Sequence, residues 1–486
     1  MAANVMVATS LIAAGSLYGY VRWRLDSITT VAAPHLTKVS ATANDKQSAG
    51  GLPPENILLI GNETRAGQNG FGNPIIYSGS LSDVIMIIHL DPATGHASLL
   101  SIPRDLFVPM PAGSPVGPYQ KIDAALNDGV NGPDNLIAAI TQDFGIPINH
   151  YIELKFDGAE AMVSALGGIK VDFPDKLYDA TSRLMINSTG CQLLNGAQAL
   201  QLIRSRHIQY DAPGSPSNPA QWPADPQSDL SRIARDQLVM RILVSTAKSE
   251  GLTNPLKLNS FLGALINQII IDPGLKSQIG AIVTHFRHLN PATAPELTLP
   301  VTLVGGPNSY YYAGADIGDV DFAVQPADNA TITAWNSEAF PPAATPTAVR
   351  VDNLTSTYHL AATTAAGLVA DGMPATVGSS LRVPASQTET LVDYPPGGLA
   401  QALTVESHLA GAAVLQLDPT VPPGTVTVEA GSVLSTTPPA SPASPTTTQP
   451  GAAPTSTTQV TVPTPGGQTP SPSTAYMATW EPRACS

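Results

Sequence analysis

Ser82-Asp83-Val84-Ile85-Met86-Ile87-Ile88-His89-Leu90-Asp91-Pro92-Ala93-Thr94-Gly95-His96-Ala97-Ser98-Leu99-Leu100-Ser101-Ile102 holds two apolar runs, 84–90 and 96–102, around a five-residue break. Runs of this length rich in Ile and Leu predict buried strands. Asp, Pro and Gly in the break are hairpin chemistry, because Gly takes positive φ without penalty and Asp bonds its own turn backbone. Before the hairpin, 56–60 reads as another short buried strand. It ends in Gly61-Asn62-Glu63-Thr64-Arg65 and a Gly/Asn-rich loop up to Ser80. After the hairpin come a helix over 134–144, a strand over 151–156 and a helix over 157–166 capped by Asp157 and stopped by Gly167-Gly168. A strand over 169–173, a short helix over 196–202, a longer amphipathic helix over 230–248 and, beyond further helix up to 289, a strand over 297–304 complete the pattern. Strands alternating with helices, plus a hairpin, predict an α/β fold with a mixed central sheet flanked by helices on both faces.

The chain of 486 residues has room for more than this one domain, which we bound at 52–335. Residues 1–21 carry no charge and are long enough to cross a bilayer, so 1–24 is expected to be a transmembrane anchor, with a cleaved signal peptide as the alternative. Arg22 and Arg24 would orient the domain toward the cytoplasm, but long domains translocate largely regardless of flanking charge. A polar stalk is expected over 25–51. A Pro/Ala linker near 341–346 leads to a small C-terminal α/β unit over 347–432, with strands at 348–351, 390–392 and 425–428 and helices at 359–370 and 398–409. The last stretch, 433–486, is dominated by Thr, Pro, Ser, Gly and Ala and is expected to be disordered. Cys485 falls in that stretch, so no structural disulfide with Cys191 is expected, and two thiols make no zinc framework. A net charge of −14 excludes a nucleic-acid partner, which would require a basic face.

Against that acidic background the arginines stand out. Arg204 and Arg206 are two apart, the spacing that puts side chains on one face of a strand. Asp229, Arg232 and Arg235 are three apart, on one side of a helix, with Gln237 following. Guanidiniums repel one another unless an anion lies between them, and their fork suits phosphate. The competing account, a solvated cationic surface, fits an acidic chain poorly. Glu63, Arg65, Asp83 and Arg104 all fall at expected strand ends and form one polar rim. Two carboxylates plus several guanidiniums suit a Mg²⁺-bridged diphosphate. There is no Gly-x-x-x-x-Gly-Lys loop, no Gly-x-Ser-x-Gly elbow and no His-Glu-x-x-His helix, and His285 and His288 read as ordinary surface or packing residues.

The order of seven motifs resembles the LytR-CpsA-Psr family of bacterial cell-wall glycopolymer transferases. They are Gly61-Asn62-Glu63-Thr64-Arg65, Ser82-Asp83, Ser101-Ile102-Pro103-Arg104-Asp105, Lys121-Ile122-Asp123-Ala124-Ala125, Ala165-Leu166-Gly167-Gly168, Arg204-Ser205-Arg206-His207, and Asp229 through Arg232 and Arg235 to Gln237. The small C-terminal unit looks like a LytR C-terminal domain. The resemblance implies a phosphotransferase that moves a glycan phosphate from a polyprenyl diphosphate carrier to peptidoglycan, in a single-pass membrane protein whose bulk is extracytoplasmic. Arg65, Arg104, Arg204, Arg206, Arg232, Arg235 and Gln237 would bind the substrate. Asp83 and Glu63 would hold Mg²⁺ or Mn²⁺, with Glu63 standing where the family usually has Asp. Arg104, Asp105 and Asp229 would carry the chemical step. An Ala-, Pro- and Thr-rich composition points to a high-GC actinobacterium, where the resemblance implies arabinogalactan attachment. A hydrolase splitting the same diphosphate, or a noncatalytic regulator that binds lipid-linked glycan, are the alternatives.

Overall fold

The computed structural model describes residues 23–24, 26–38, 53–63, 81–128, 131–225, 229–251, 255–266, 268–286, 289, 294–304, 310–312, 314–336, 343–380, 389–432, 434 and 480–485. The side chains of Glu63, Asp83 and Asp229 and the whole of Arg65 fall outside the described part, as do nearly all of the expected anchor and most of the expected tail. Among the described residues no helix is long and apolar enough to cross a membrane.

A seven-stranded sheet organises the chain. Its members in sequence are β1 (Thr29–Thr30), β2 (Glu55–Glu63), β3 (Leu81–Asp91), β4 (His96–Ser101), β5 (His150–Lys155), β8 (Ile269–Ile271) and β9 (Glu296–Thr298); β6 (Ile169–Phe173) and β7 (Gly190–Leu194) lie outside it. The order across the sheet is β1-β8-β5-β2-β3-β4-β9, with β5 parallel to β2 and the β2–β3–β4 meander antiparallel. The expected hairpin joins β3 to β4: Asp91 accepts from the Ala93 amide at 2.8 Å, and Gly95 sits at φ 70°. Alternation along the central strands sends Leu58, Ile60, Ile85 and Ile87 to one core and Ile57 and Ile88 to the other. Helix α1 (Gly132–Phe144) covers the first face with Leu136, Ile137, Ile140 and Phe144. Helices α2 (Phe156–Leu166), α3 (Gly196–Arg204) and α4 (Asp229–Thr246) cover the second. This is the mixed, doubly covered sheet that the pattern predicts.

Local signals explain most boundaries. Helix α2 stops where Gly167 and Gly168 take φ of 87° and 110°, and the Gly168 amide returns to the Val163 carbonyl at 2.9 Å. Helix α3 opens with a reciprocal cap between Asn195 and Gln198. Three expectations need correction. The expected strand over 297–304 is two strands, Glu296–Thr298 and Val301–Val304, because Pro300 lacks the amide that a continuous ladder needs. Part of the expected stalk belongs to the fold: Ile28 is buried in the core, β1 pairs with β8, and the Thr37 amide bonds the Ile148 carbonyl.

The third correction is the largest. Cys191 and Cys485 form a disulfide across 294 residues, and Arg483–Ala484 adds as a strand, β10, to the edge of β6 opposite β7. Composition alone suggested that nothing near the C-terminus packs. Trp480 and Glu481 are nevertheless 4% and 2% exposed, because they enter a slot lined by Tyr210 and Arg235.

The C-terminal unit is a five-stranded sheet that includes all three expected strands. It adds two that sequence reading missed, Ala375–Ser380 and Ala413–Leu417. The first is small and polar, and Val377 on it is 55% exposed, so it carries little hydrophobic signal. The unit shares a core with α1 through Leu391 and Val414, and Tyr394 donates to the Gln142 carbonyl at 3.0 Å.

Candidate active site

The site lies at the end of the sheet where β2 finishes and β3 begins. The register runs regularly to Gly61 opposite Val84, then shifts so that Asn62 faces Ser82 and Asp83 becomes the extra residue of a bulge. The backbone thus brings Glu63 and Asp83 to one edge of the sheet. Beside them Asn62 donates to Glu153 Oε1 at 2.5 Å, and the Tyr151 hydroxyl donates to the other oxygen of Glu153 at 2.9 Å. Burial, reinforced by Glu153, keeps the Tyr151 phenol protonated. Sequence reasoning assigned no role to Tyr151 or Glu153. The available signal was Glu153, a carboxylate between Ile152 and Leu154 in a strand.

The third and fourth motifs meet as expected from neither spacing alone. Arg104 reaches Asp105 at 2.5 Å and Asp123 at 3.5 Å, while Lys121 reaches the other oxygen of Asp105 at 2.9 Å. Backbone bonds from Ile122 to Leu106 and from Asp123 to Arg104 zip the two motifs together. Asp105 is therefore held between two cations.

Arg204 and Arg206 do not share a strand. Helix α3 continues two residues past its expected end, so Arg204 is its last residue, and Ser205 caps it in extended conformation. Presentation of both side chains depends on how Ser205 is fixed. Ser205 is fully buried; its Oγ lies 2.7 Å from Ser182 Oγ, its carbonyl accepts from Arg235 at 2.8 Å, and the next amide but one, His207, donates to Asp179 at 3.0 Å. Arg204 and Arg206 flank this clamp and stay half-buried.

On α4 the helical spacing holds, but the roles divide. Arg232 is 2% exposed and Arg235 wholly buried. Arg235 was expected to bind substrate; instead its Nη1 reaches Glu481 at 3.0 Å and Asp225 at 3.6 Å, while Nη2 holds the Ser205 carbonyl. Gln237, also expected at the substrate, donates to Ser101 Oγ at 2.8 Å and so ties α4 to β4. Facing inward on a helix packed against the sheet, both residues meet protein before they could meet a ligand.

A small apolar cavity of about 50 Å³ adjoins this cluster. Its walls come from Leu59 and Val84 of the sheet, Ala159 and Val163 of α2, and Val239 and Leu243 of α4. Gly61, Ile203 and Asp236 also line it, each next in sequence to a residue described above: Asn62, Arg204 and Arg235.

Among the described residues no group of three or more His, Cys, Asp or Glu side chains is arranged to hold a metal. Mg²⁺ needs only one or two carboxylates when phosphate oxygens supply other ligands, and the β2–β3 bulge brings the backbone of two candidates to one edge.

The fold and site define a mixed α/β protein whose apolar cavity is lined by residues next in sequence to Asn62, Arg204 and Arg235. The chain belongs to the LytR_cpsA_psr family, whose profile matches residues 28–321. It is 30% identical over 260 residues to the probable cell wall biosynthesis protein LcpB of Corynebacterium glutamicum, an alignment covering 52% of this chain and 54% of that protein. It is likewise 30% identical over 200 residues to the polyisoprenyl-teichoic acid–peptidoglycan teichoic acid transferase TagV of Bacillus subtilis, covering 40% of this chain and 44% of that one. The chain thus spans about half the length of the curated relatives it matches. The LytR-Csp2A-Psr enzyme structure from Actinomyces oris superposes with a TM-score of 0.42 at 22% identity, over 56% of this chain and 88% of that one. The family match ends before the C-terminal unit.

Proposed function

We propose that this protein is a phosphotransferase that moves a glycan phosphate from a polyprenyl diphosphate carrier to a hydroxyl of peptidoglycan in cell-wall assembly. The observation that carries this reading is the apolar cavity whose lining includes Ile203, the residue before Arg204, and Asp236, one helical turn after Arg232. A long aliphatic chain and an anionic head need those two environments in that order. Relatives named as teichoic acid transferases support the same class of reaction.

The acceptor hydroxyl oxygen bonds to the glycan-side phosphorus, the bond from that phosphorus to the bridging oxygen breaks, and prenyl phosphate leaves. The hydroxyl proton passes to a base. No nucleotide is consumed, because the diphosphate is already activated. Arg204, Arg206 and Arg232 gather the phosphates, and Arg104, set by Asp105 and Asp123, adds a further guanidinium where charge develops. Asp83, with Glu63, would hold Mg²⁺ or Mn²⁺, whose chemistry there is to neutralise phosphate charge. We read the protein as anchored through 1–24 with its bulk outside the cytoplasm. The Cys191–Cys485 disulfide supports this placement, since such bonds persist in oxidising compartments. The C-terminal unit is read as a LytR C-terminal domain, and arabinogalactan as the glycan.

The test incubates the full chain in detergent with a prenyl-diphosphate-linked glycan, with and without a peptidoglycan fragment. Transfer gives a glycan–peptidoglycan adduct and prenyl phosphate only when acceptor is present. Prenyl phosphate without acceptor would make the protein a hydrolase, and intact donor in both arms would make it a binding protein.

A further inference from the structure

The C-terminal strap 480–485 reaches the site by three independent attachments. Cys485 is bonded to Cys191 on β7, Arg483 and Ala484 pair with Asp172 and Val171 on β6, and the Trp480 ring stacks on Tyr210 with centroids 4.9 Å apart and planes 6° from parallel. Between them Glu481 is aimed inward, 2% exposed, with one oxygen 3.0 Å from Arg235. That arginine in turn holds the carbonyl of Ser205, the residue between Arg204 and Arg206. Without Glu481, the remaining carboxylate near Arg235 is Asp225 at 3.6 Å, which also accepts from Ser231 at 3.0 Å. A buried guanidinium with one carboxylate withdrawn turns toward whatever acceptor remains, and its bond to the Ser205 carbonyl is the one free to change.

We propose that Glu481 is a positioning residue for the diphosphate site: through Arg235 it fixes the Ser205 carbonyl, and so the backbone that presents Arg204 and Arg206, with the Cys191–Cys485 disulfide as its fastening. This rests on the diphosphate reading above and adds the strap to it. The protein thereby becomes sensitive to its redox surroundings. A dithiol that reduces the disulfide is itself oxidised to a disulfide, leaves two thiols on the protein, and frees the end of the strap.

Burial pushes the Glu481 carboxyl up to about 7, with Arg235 pulling it down and Asp225 adding to the rise. Among the described residues the charged groups that shift it are Arg235 on α4 and Asp225 in the preceding loop, and a hydrogen bond with Ser231 of α4 lowers it further. Below that pH the carboxyl is protonated and the ion pair is lost, so the parent gives a pH signature that needs no mutation.

The experiment is calorimetric titration of the full chain in detergent, at one salt concentration and from pH 6 to 8, with inorganic pyrophosphate and, separately, farnesyl diphosphate. Glu481→Gln keeps the shape and the disulfide. It is expected to bind about tenfold more weakly at pH 8, the loss of one charge-assisted bond's worth of order. The ratio of parent to variant affinity should fall toward one as pH drops through about 7, which cancels the ligand's own ionisation. Cys485→Ser should weaken binding in the same direction. Equal affinities at every pH would overturn the proposal, and so would tighter binding by Glu481→Gln, which would make the carboxylate a competitor of phosphate. A parent that binds pyrophosphate but not farnesyl diphosphate removes the prenyl reading while leaving the strap comparison legible. Binding of neither removes both.

Discussion

Cutting the Cys191–Cys485 tie, by Cys485→Ser or by ending the chain at residue 479, is expected to lower the thermal stability of the whole fold. The bridge closes a loop of 294 residues, for which the chain-entropy relation gives about 5–6 kcal/mol, an upper bound since native strain and residual unfolded-state structure reduce it. Truncation also exposes the slot of Trp480, a side chain whose burial contributes about 3 kcal/mol. It further leaves Arg235 buried with a more distant carboxylate, and breaking such a pair costs about 3–5 kcal/mol. These contributions overlap, since the strap comes away as a unit. A conservative net loss of about 3 kcal/mol corresponds to a Tm lower by about 5 °C for a fold of this size. The assay is thermal unfolding of the parent with and without dithiothreitol, beside Cys485→Ser and the truncation. Reduced parent and Cys485→Ser should coincide, with the truncation lower still. A Tm unchanged within about 1 °C in reduced parent, with two free thiols confirmed by titration, would refute the reasoning and return the strap to the inert tail expected from composition.

Arg204→Ala and Arg206→Ala should each weaken prenyl diphosphate binding by about tenfold or more, and Arg204→Lys should stay impaired because it lacks the fork. Arg241→Ala is the control, since that guanidinium is engaged with Glu296 at 2.5 Å and 3.0 Å; equal small losses in all four variants would mean a diffuse cationic surface. Asp83→Ala should abolish divalent-dependent turnover with the melting profile preserved, and turnover that survives both mutation and chelation would remove the metal from the mechanism. Burial raises the Glu406 carboxyl from 4.5 to about 8, opposed by its bond from Asn329, so its contribution to stability is fully present below pH 4.5 and is lost as pH rises through about 8. Glu406→Gln should flatten the fall in Tm between pH 5 and 8, and an identical slope in parent and variant would exclude this group as its source.

What the sequence made legible was whatever depends on near neighbours. The hairpin rests on Asp91 and Gly95 within five residues, the end of α2 on Gly167 and Gly168, and the start of α3 on Asn195 with Gln198. Each is a backbone requirement answered locally, so spacing sufficed. Motif order likewise located the site, because Arg104, Asp105, Lys121 and Asp123 are joined by a short return of the chain.

The misreadings of Arg235, Gln237 and Cys485 share one cause: each turns on what lies across the fold. Spacing places Arg232 and Arg235 on one side of α4, but only packing decides that Arg235 points to Ser205 and Glu481 and Gln237 to Ser101. No window of sequence links Cys191 to a residue 294 positions on. Composition actively misled there, since a Thr/Pro/Ser-rich stretch lacks the apolar area for a core of its own. A strap needs none: Trp480 borrows the Tyr210 ring, β10 borrows the edge of β6, and Glu481 borrows a cation already buried for other reasons. The consequence reaches the site. Of the residues expected to grip phosphate, Arg235 is placed where it can act on the substrate only by holding the others in position, and what holds Arg235 comes from the far end of the chain.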